Sequence, residues 1–122
     1  MRRDFRLYLD DILEAITQIR TYMADQSEEA FAGDRKTQDA VIRNLEIIGE
    51  AAGSIPDQIK KSEPEIDWRK ITGLRNILIH EYFGINLPII WDVVHTKLGP
   101  LETVCRRLLE GAAGPDAIPV TV

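Results

Sequence analysis

The chain has 122 residues, enough for one domain and too few for two ordinary ones. Hydrophobic residues make up 44% and charged residues 29%, which predicts a real core beneath a polar surface. A formal charge of −5 excludes long-range attraction of nucleic acid by the whole molecule. Any such contact must rest on local basic clusters, such as Arg2, Arg3 and Arg6, or Arg69, Lys70 and Arg75. The opening MRRDFRLYLDD is charged throughout, with no apolar signal core, and no stretch approaches membrane-spanning length. Together these predict a cytoplasmic protein that does not enter a membrane.

From about residue 3 to 24, Phe5, Leu9, Ile12, Ile16, Ile19 and Met23 recur at three- and four-residue steps, the pattern of an amphipathic helix. DQSEEAFAGD breaks it, and Ser27 before two glutamates resembles the start of a single helical turn. Asp34 is a candidate cap for a second long helix to about Ala52. Gly49 within that helix predicts a close helix–helix approach. The polar connector GSIPDQIKKSEPEID has room for one short helix, with Pro56 suited to a first helical position.

Asp67 is a candidate cap for a third long helix, from about Trp68 to Tyr82. Asn86 and Pro88 start a fourth, which LGP at 98 to 100 should kink or split before it continues to about Glu110. Residues 111–122 have the Gly, Pro and small-residue content of a flexible tail. The expectation is one all-α, up-and-down bundle of four to five helices over residues 1–110.

Most conspicuous residues have plain structural readings. Cys105 cannot form an internal disulfide and lies among apolar neighbours, so it reads as a core thiol. Trp68 and Trp91 at helix starts read as packing residues, and Arg106 and Arg107 as cations near a helix C-terminus. His95 precedes the expected kink and suggests a helix-end or surface role.

LRNILIHEYFG, residues 74 to 84, is different. Arg75 and Tyr82, seven residues apart, share a helical face, and Asn76 and His80 form an i, i+4 pair. His80 stands about 140° around the helix from Arg75. The polar groups converge if the helix loosens near His80, which Gly84 permits, or if a second copy of the helix completes the site. A histidine that titrates near neutral pH, beside an arginine fork that matches phosphate, suits metal-free RNA cleavage. A 2′-hydroxyl attacking its own phosphate needs a base, an acid and positive charge. His80 and Glu81 are adjacent rather than one turn apart, so they form no metal-ligand pair on a helix. The structural alternative is an Arg75 paired with Glu50 or Glu46.

RNILIHEY also fits the pattern of arginine, four residues, histidine, any residue, tyrosine that marks the HEPN superfamily. The chain resembles its HepT-like toxins of prokaryotic toxin–antitoxin systems. YLDDILEAI, FAGDRKTQDAVIRNLEIIGEAA, IDWRKITGLRN and HEYFGINLPIIWDVV resemble that family in order and spacing, so the resemblance covers most of residues 4 to 110. It implies a helical bundle that dimerises around the motif helix, with residues 68 to 83 in the interface and two motifs facing one cleft. It implies a metal-independent endoribonuclease with no cofactor. Arg75 and His80 would be its catalytic pair, Asn76 and Tyr82 would position RNA, and Glu50 would support Arg75. The implied antitoxin is a minimal, MntA-like nucleotidyltransferase that transfers AMP to Tyr82. The alternative is a catalytically weak or inactive dimer that binds nucleotide, RNA or a partner. Glu81, beside His80, and the net charge of −5 point that way.

Overall fold

Short polar side chains set where the helices begin. Asp4 accepts from the Arg6 amide at 3.0 Å and opens α1, Phe5–Met23. The Ser27 hydroxyl accepts from the Ala30 amide at 3.0 Å and opens α2, Glu28–Ala32. Asp34 accepts from the Thr37 amide at 3.1 Å and opens α3, Arg35–Ser54. The short α4, Asp57–Lys61, follows Pro56, which sits at the cap position rather than inside the first turn. Asp67 accepts from the Lys70 amide at 3.2 Å at the start of α5, Trp68–His80. Asn86 accepts from the Ile89 amide at 3.2 Å and opens α6, Leu87–Asp92. A π-helical turn, Val93–Lys97, joins α6 to α7, Leu98–Ala112.

The computed structural model describes residues 4–80 and 86–112, with side chains from 4 to 74 and from 86 to 111. No strand occurs among these residues, and the architecture is the expected all-α bundle.

α1 packs against α3 and α7, and α3 packs against α5. Leu9, Ile12, Ile16 and Ile19 of α1 are solvent-free, as are Val41 and Ile48 of α3 and Leu98, Leu101 and Cys105 of α7. Each such aliphatic side chain contributes on the order of 1.5–3 kcal/mol when fully buried. Phe31, from the small α2, is also buried and lies 5.9 Å from the Trp91 ring. Arg20, near the end of α1, reaches Glu102, near the start of α7, so these two helices run antiparallel.

Gly49 is buried, and a Cβ placed on Gly53, one turn later, would meet Thr72 Cγ2 at 3.3 Å. The end of α3 therefore packs beside the start of α5, with the Thr72 side chain against Gly53, and this pair is antiparallel too.

The LGP segment neither splits nor ends the helix. One helical rod runs from Leu87 to Ala112, and its irregularity falls one turn earlier, in the π segment. Pro100 cannot donate to the Thr96 carbonyl, and its ring would crowd that carbonyl in regular α geometry. The π register widens the turn that contains Thr96 and absorbs the conflict. α7 also continues two residues past the end expected at Glu110.

Candidate active site on the motif helix and the adjoining groove

The motif helix is moored along its first half. Trp68 is buried, and its indole N–H donates to the Glu63 carbonyl at 3.1 Å. Ile71 and Leu74 are buried, and Thr72 meets Gly53. Glu63, itself buried, is clasped by Arg107, which also reaches Glu65 at 2.6 Å. Sequence reading gave Arg107 only a helix-end role; in the fold it ties the loop before α5 to α7. The Glu65 carboxyl is held below the usual carboxylate range, first by its own backbone amide and then by Arg107.

Arg75, Asn76 and His80 lie on the second half of this anchored helix, which remains α-helical through His80. The structure thus places these three on one rigid rod. Arg75 and His80 are about 7.5 Å apart along its axis and about 140° apart around it. No loosening before His80 draws them together. Their side chains, and the whole of Glu81, Tyr82 and Gly84, lie outside the described residues.

Glu50 is an exposed residue of α3. Gly53 stands opposite Thr72 in an antiparallel pair, so stepping three residues back to Glu50 and three forward to Arg75 brings both to one level.

The residues set aside as structural behave so, with one adjustment. Cys105 is solvent-free, and burial, with Glu102 adding a smaller effect, pushes its thiol up to about 12, far from a reactive thiolate. His95 lies within the π turn rather than at a helix end. Its Nδ1–H donates to the Trp91 carbonyl at 2.9 Å, since a carbonyl only accepts, and its ring stacks on Trp91 at 4.0 Å. It borders a small cavity of 250 Å³ with Arg20, Met23, Val94 and Gly99, residues of α1 and the π–α7 junction.

Sequence reading missed a larger groove of 580 Å³ between the first half of α5 and the rod from Ile89 to Pro100. Its walls include Ile71, Leu74, Ile89, Ile90 and Val93, with Lys70, Asp92, Thr96 and Lys97 among its polar lining. No local signal announces it, because the two walls are separated in sequence and meet only in the bundle.

Against known proteins, a family model described as Ribonuclease HepT-like matches residues 12–108. A provisionally named RNase of Methanocaldococcus jannaschii is 44% identical over 115 residues, covering 94% of this chain and 95% of that one. A Thermococcus cleftensis protein named "Probable ribonuclease HepT" is 44% identical over 108 residues, covering 88% and 98%. A provisionally named RNase of Caldanaerobacter subterraneus is 35% identical over 105 residues, covering 86% and 94%. No solved structure matches the chain. With a family match over most of its length and relatives of this identity and coverage, the chain belongs to the HepT-like ribonuclease family.

Proposed function

We propose that the protein is a metal-independent endoribonuclease and the toxin of a toxin–antitoxin pair. The observation that carries this reading is the Arg75–His80 pair on an anchored, unbroken helix in a chain of ribonuclease kinship. In the proposed reaction an RNA 2′-hydroxyl attacks the adjacent phosphorus. The new O2′–P bond forms as the P–O5′ bond breaks, leaving a 2′,3′-cyclic phosphate and a 5′-hydroxyl. A base takes the 2′-hydroxyl proton, and an acid delivers one to the leaving O5′. Each chain offers one motif histidine for these two roles. A two-fold dimer that apposes two α5 helices supplies both, one His80 as base and the other as acid. Arg75 offers its guanidinium fork to the phosphate oxygens, where negative charge grows in the transition state. Asn76 and Tyr82 hold the RNA, and Glu50 orients Arg75 from α3.

His80→Ala and Arg75→Ala each lower RNA cleavage by about 100-fold or more with the helical content unchanged, and wild-type cleavage persists in EDTA. A His80→Ala protein that cuts RNA at the wild-type rate would overturn the assignment.

The silencing partner in this reading is a nucleotidyltransferase that places AMP on Tyr82. The phenol oxygen attacks the α-phosphorus of ATP, pyrophosphate leaves, and the phenolic proton passes to the partner's base. The added phosphate occupies Arg75 and the space RNA needs. Mass spectrometry after co-expression shows an adenylyl adduct that is lost in Tyr82→Phe. An unmodified Tyr82 in a fully neutralised toxin would instead mean inhibition by binding alone.

The net charge of −5 favours a second reading, a dimer that binds RNA weakly without cutting it. A wild-type protein that shifts RNA on a gel and leaves it whole would select that reading.

A further inference from the structure

Asp92 and Lys97 belong on different faces of a regular α-helix, about 140° apart. The π turn adds a residue between them, and both line the same groove of 580 Å³, together with Thr96. Single π turns are rare and gather at functional sites. The opposite wall is Ile71 and Leu74, with Lys70 at its edge, in the last turn of α5 before Arg75. Leu74 of this wall directly precedes Arg75 in α5.

Several of its charges are already engaged. Glu65 is held by Arg107, and Asp67 caps α5 with Lys70 Nζ 3.9 Å from its carboxylate. Asp92 and Lys97 are exposed, and neither side chain has a hydrogen-bond or ion-pair partner among the described residues. Among the described residues, what remains is a slot with aliphatic walls, one free carboxylate and one free ammonium. Its volume lies inside the range of roughly 300–1,000 Å³ typical of small-molecule sites. A flat, largely apolar ring with a hydrogen-bond donor edge and an attached anion complements it.

Carboxylates at neutral pH only accept hydrogen bonds. Guanine presents two neighbouring donors on one edge, its ring N–H and its amino group. Adenine and cytosine set their amino group beside an acceptor nitrogen, and uracil flanks its one N–H with carbonyl oxygens. We propose that this groove is a nucleobase subsite that selects the bond to be cut: it seats a guanine next to the scissile phosphate, with Asp92 on its donor edge and Lys97 on its phosphate. The proposal rests on the ribonuclease reading above.

The test has two arms, each run on the full chain. Binding of GMP, AMP, CMP and UMP is measured by calorimetry, and cleavage sites are read by sequencing the products of a random-sequence RNA. GMP binds more tightly than the other three. Asp92→Asn weakens GMP by about tenfold or more and flattens the cleavage preference at one position. Lys97→Ala weakens all four nucleotides alike. Asp92 and Lys97 are exposed, so both variants keep the fold. Equal binding of the four nucleotides, or an Asp92→Asn protein with wild-type GMP affinity and cleavage pattern, overturns the subsite. Asp92-dependent GMP binding in a protein that cuts no RNA supports the base site and removes the ribonuclease reading. RNA cleavage with no dependence on Asp92 does the reverse. Ile89, 49% exposed on the lip, separates the remaining occupant. An Ile89→Arg protein that loses self-association, with GMP binding that Asp92→Asn leaves unchanged, makes the groove a protein interface and overturns the proposal.

Discussion

Glu102 sits between two guanidinium groups, Arg20 at 2.5 Å from α1 and Arg106 at 3.0 Å one turn along α7. Its carboxyl is held below its ordinary value of 4.5, chiefly by the hydrogen bond from Arg20, with burial opposing. A depressed folded-state value means that the unfolded chain takes up this proton more readily. The stabilisation is therefore complete above the ordinary value and is lost as pH falls through the lowered one. The pair is partly exposed, so its contribution is about 0.5–1 kcal/mol rather than that of a buried bridge. Urea unfolding at pH 7 finds Glu102→Gln less stable by about that amount, and the gap closes in acid below the folded-state value.

At the scale of elements, the Gly53–Thr72 approach sets where the motif helix lies. A methyl group on Gly53 would be 3.3 Å from Thr72 Cγ2, so Thr72 must yield by a few tenths of an ångström. Thr72 is exposed and has room to move. Gly53→Ala also removes the cost of a helical glycine, less than the ~1 kcal/mol of a helix interior because Gly53 is the next-to-last residue of α3, so the two effects nearly cancel. Gly53→Leu removes nearly the same glycine cost, but its larger side chain must fit against Thr72. It pushes α5 away from α3, lowers stability by about 1–3 kcal/mol and reduces cleavage by displacing Arg75 and His80. Chemical denaturation and a cleavage assay on the two variants check this, and a Leu variant as stable as the Ala variant would refute the tight contact.

For the whole molecule, the proposed reaction needs two His80 groups, and one α-helical α5 holds its own Arg75 and His80 far apart around the axis. The expected solution species is a homodimer with residues 68 to 83 in its interface. Sedimentation at micromolar concentration gives twice the chain mass of 13.8 kDa. A monomer there would remove the composite site. With a charge of −5, RNA affinity should come from a few local cations and fall only modestly with salt.

Helix positions were legible in the sequence because they depend on local chemistry. Apolar residues at three- and four-residue steps declare a buried stripe, and Ser27, Asp34, Asp67 and Asn86 satisfy nearby amides wherever a helix starts. Asp4, a fifth cap, went unread because a charged N-terminal run masked it. The Arg75–His80–Tyr82 spacing was equally visible, since a motif on one element keeps its spacing in any fold. That Gly53 lies against Thr72 was not legible, because helix register is set by how two stripes interlock. LGP at 98 to 100 predicts a kink or split because the hydrogen bond that Pro100 loses is a local fact. Burial of Leu98, Leu101 and Val104 held the rod together, and the strain moved into a π turn. The Arg107 clasp on Glu63 and Glu65 and the groove beside α5 join residues from separate segments, which no sequence window contains. Only packing brings them together, because burial rewards the whole set of contacts rather than any single stretch of chain.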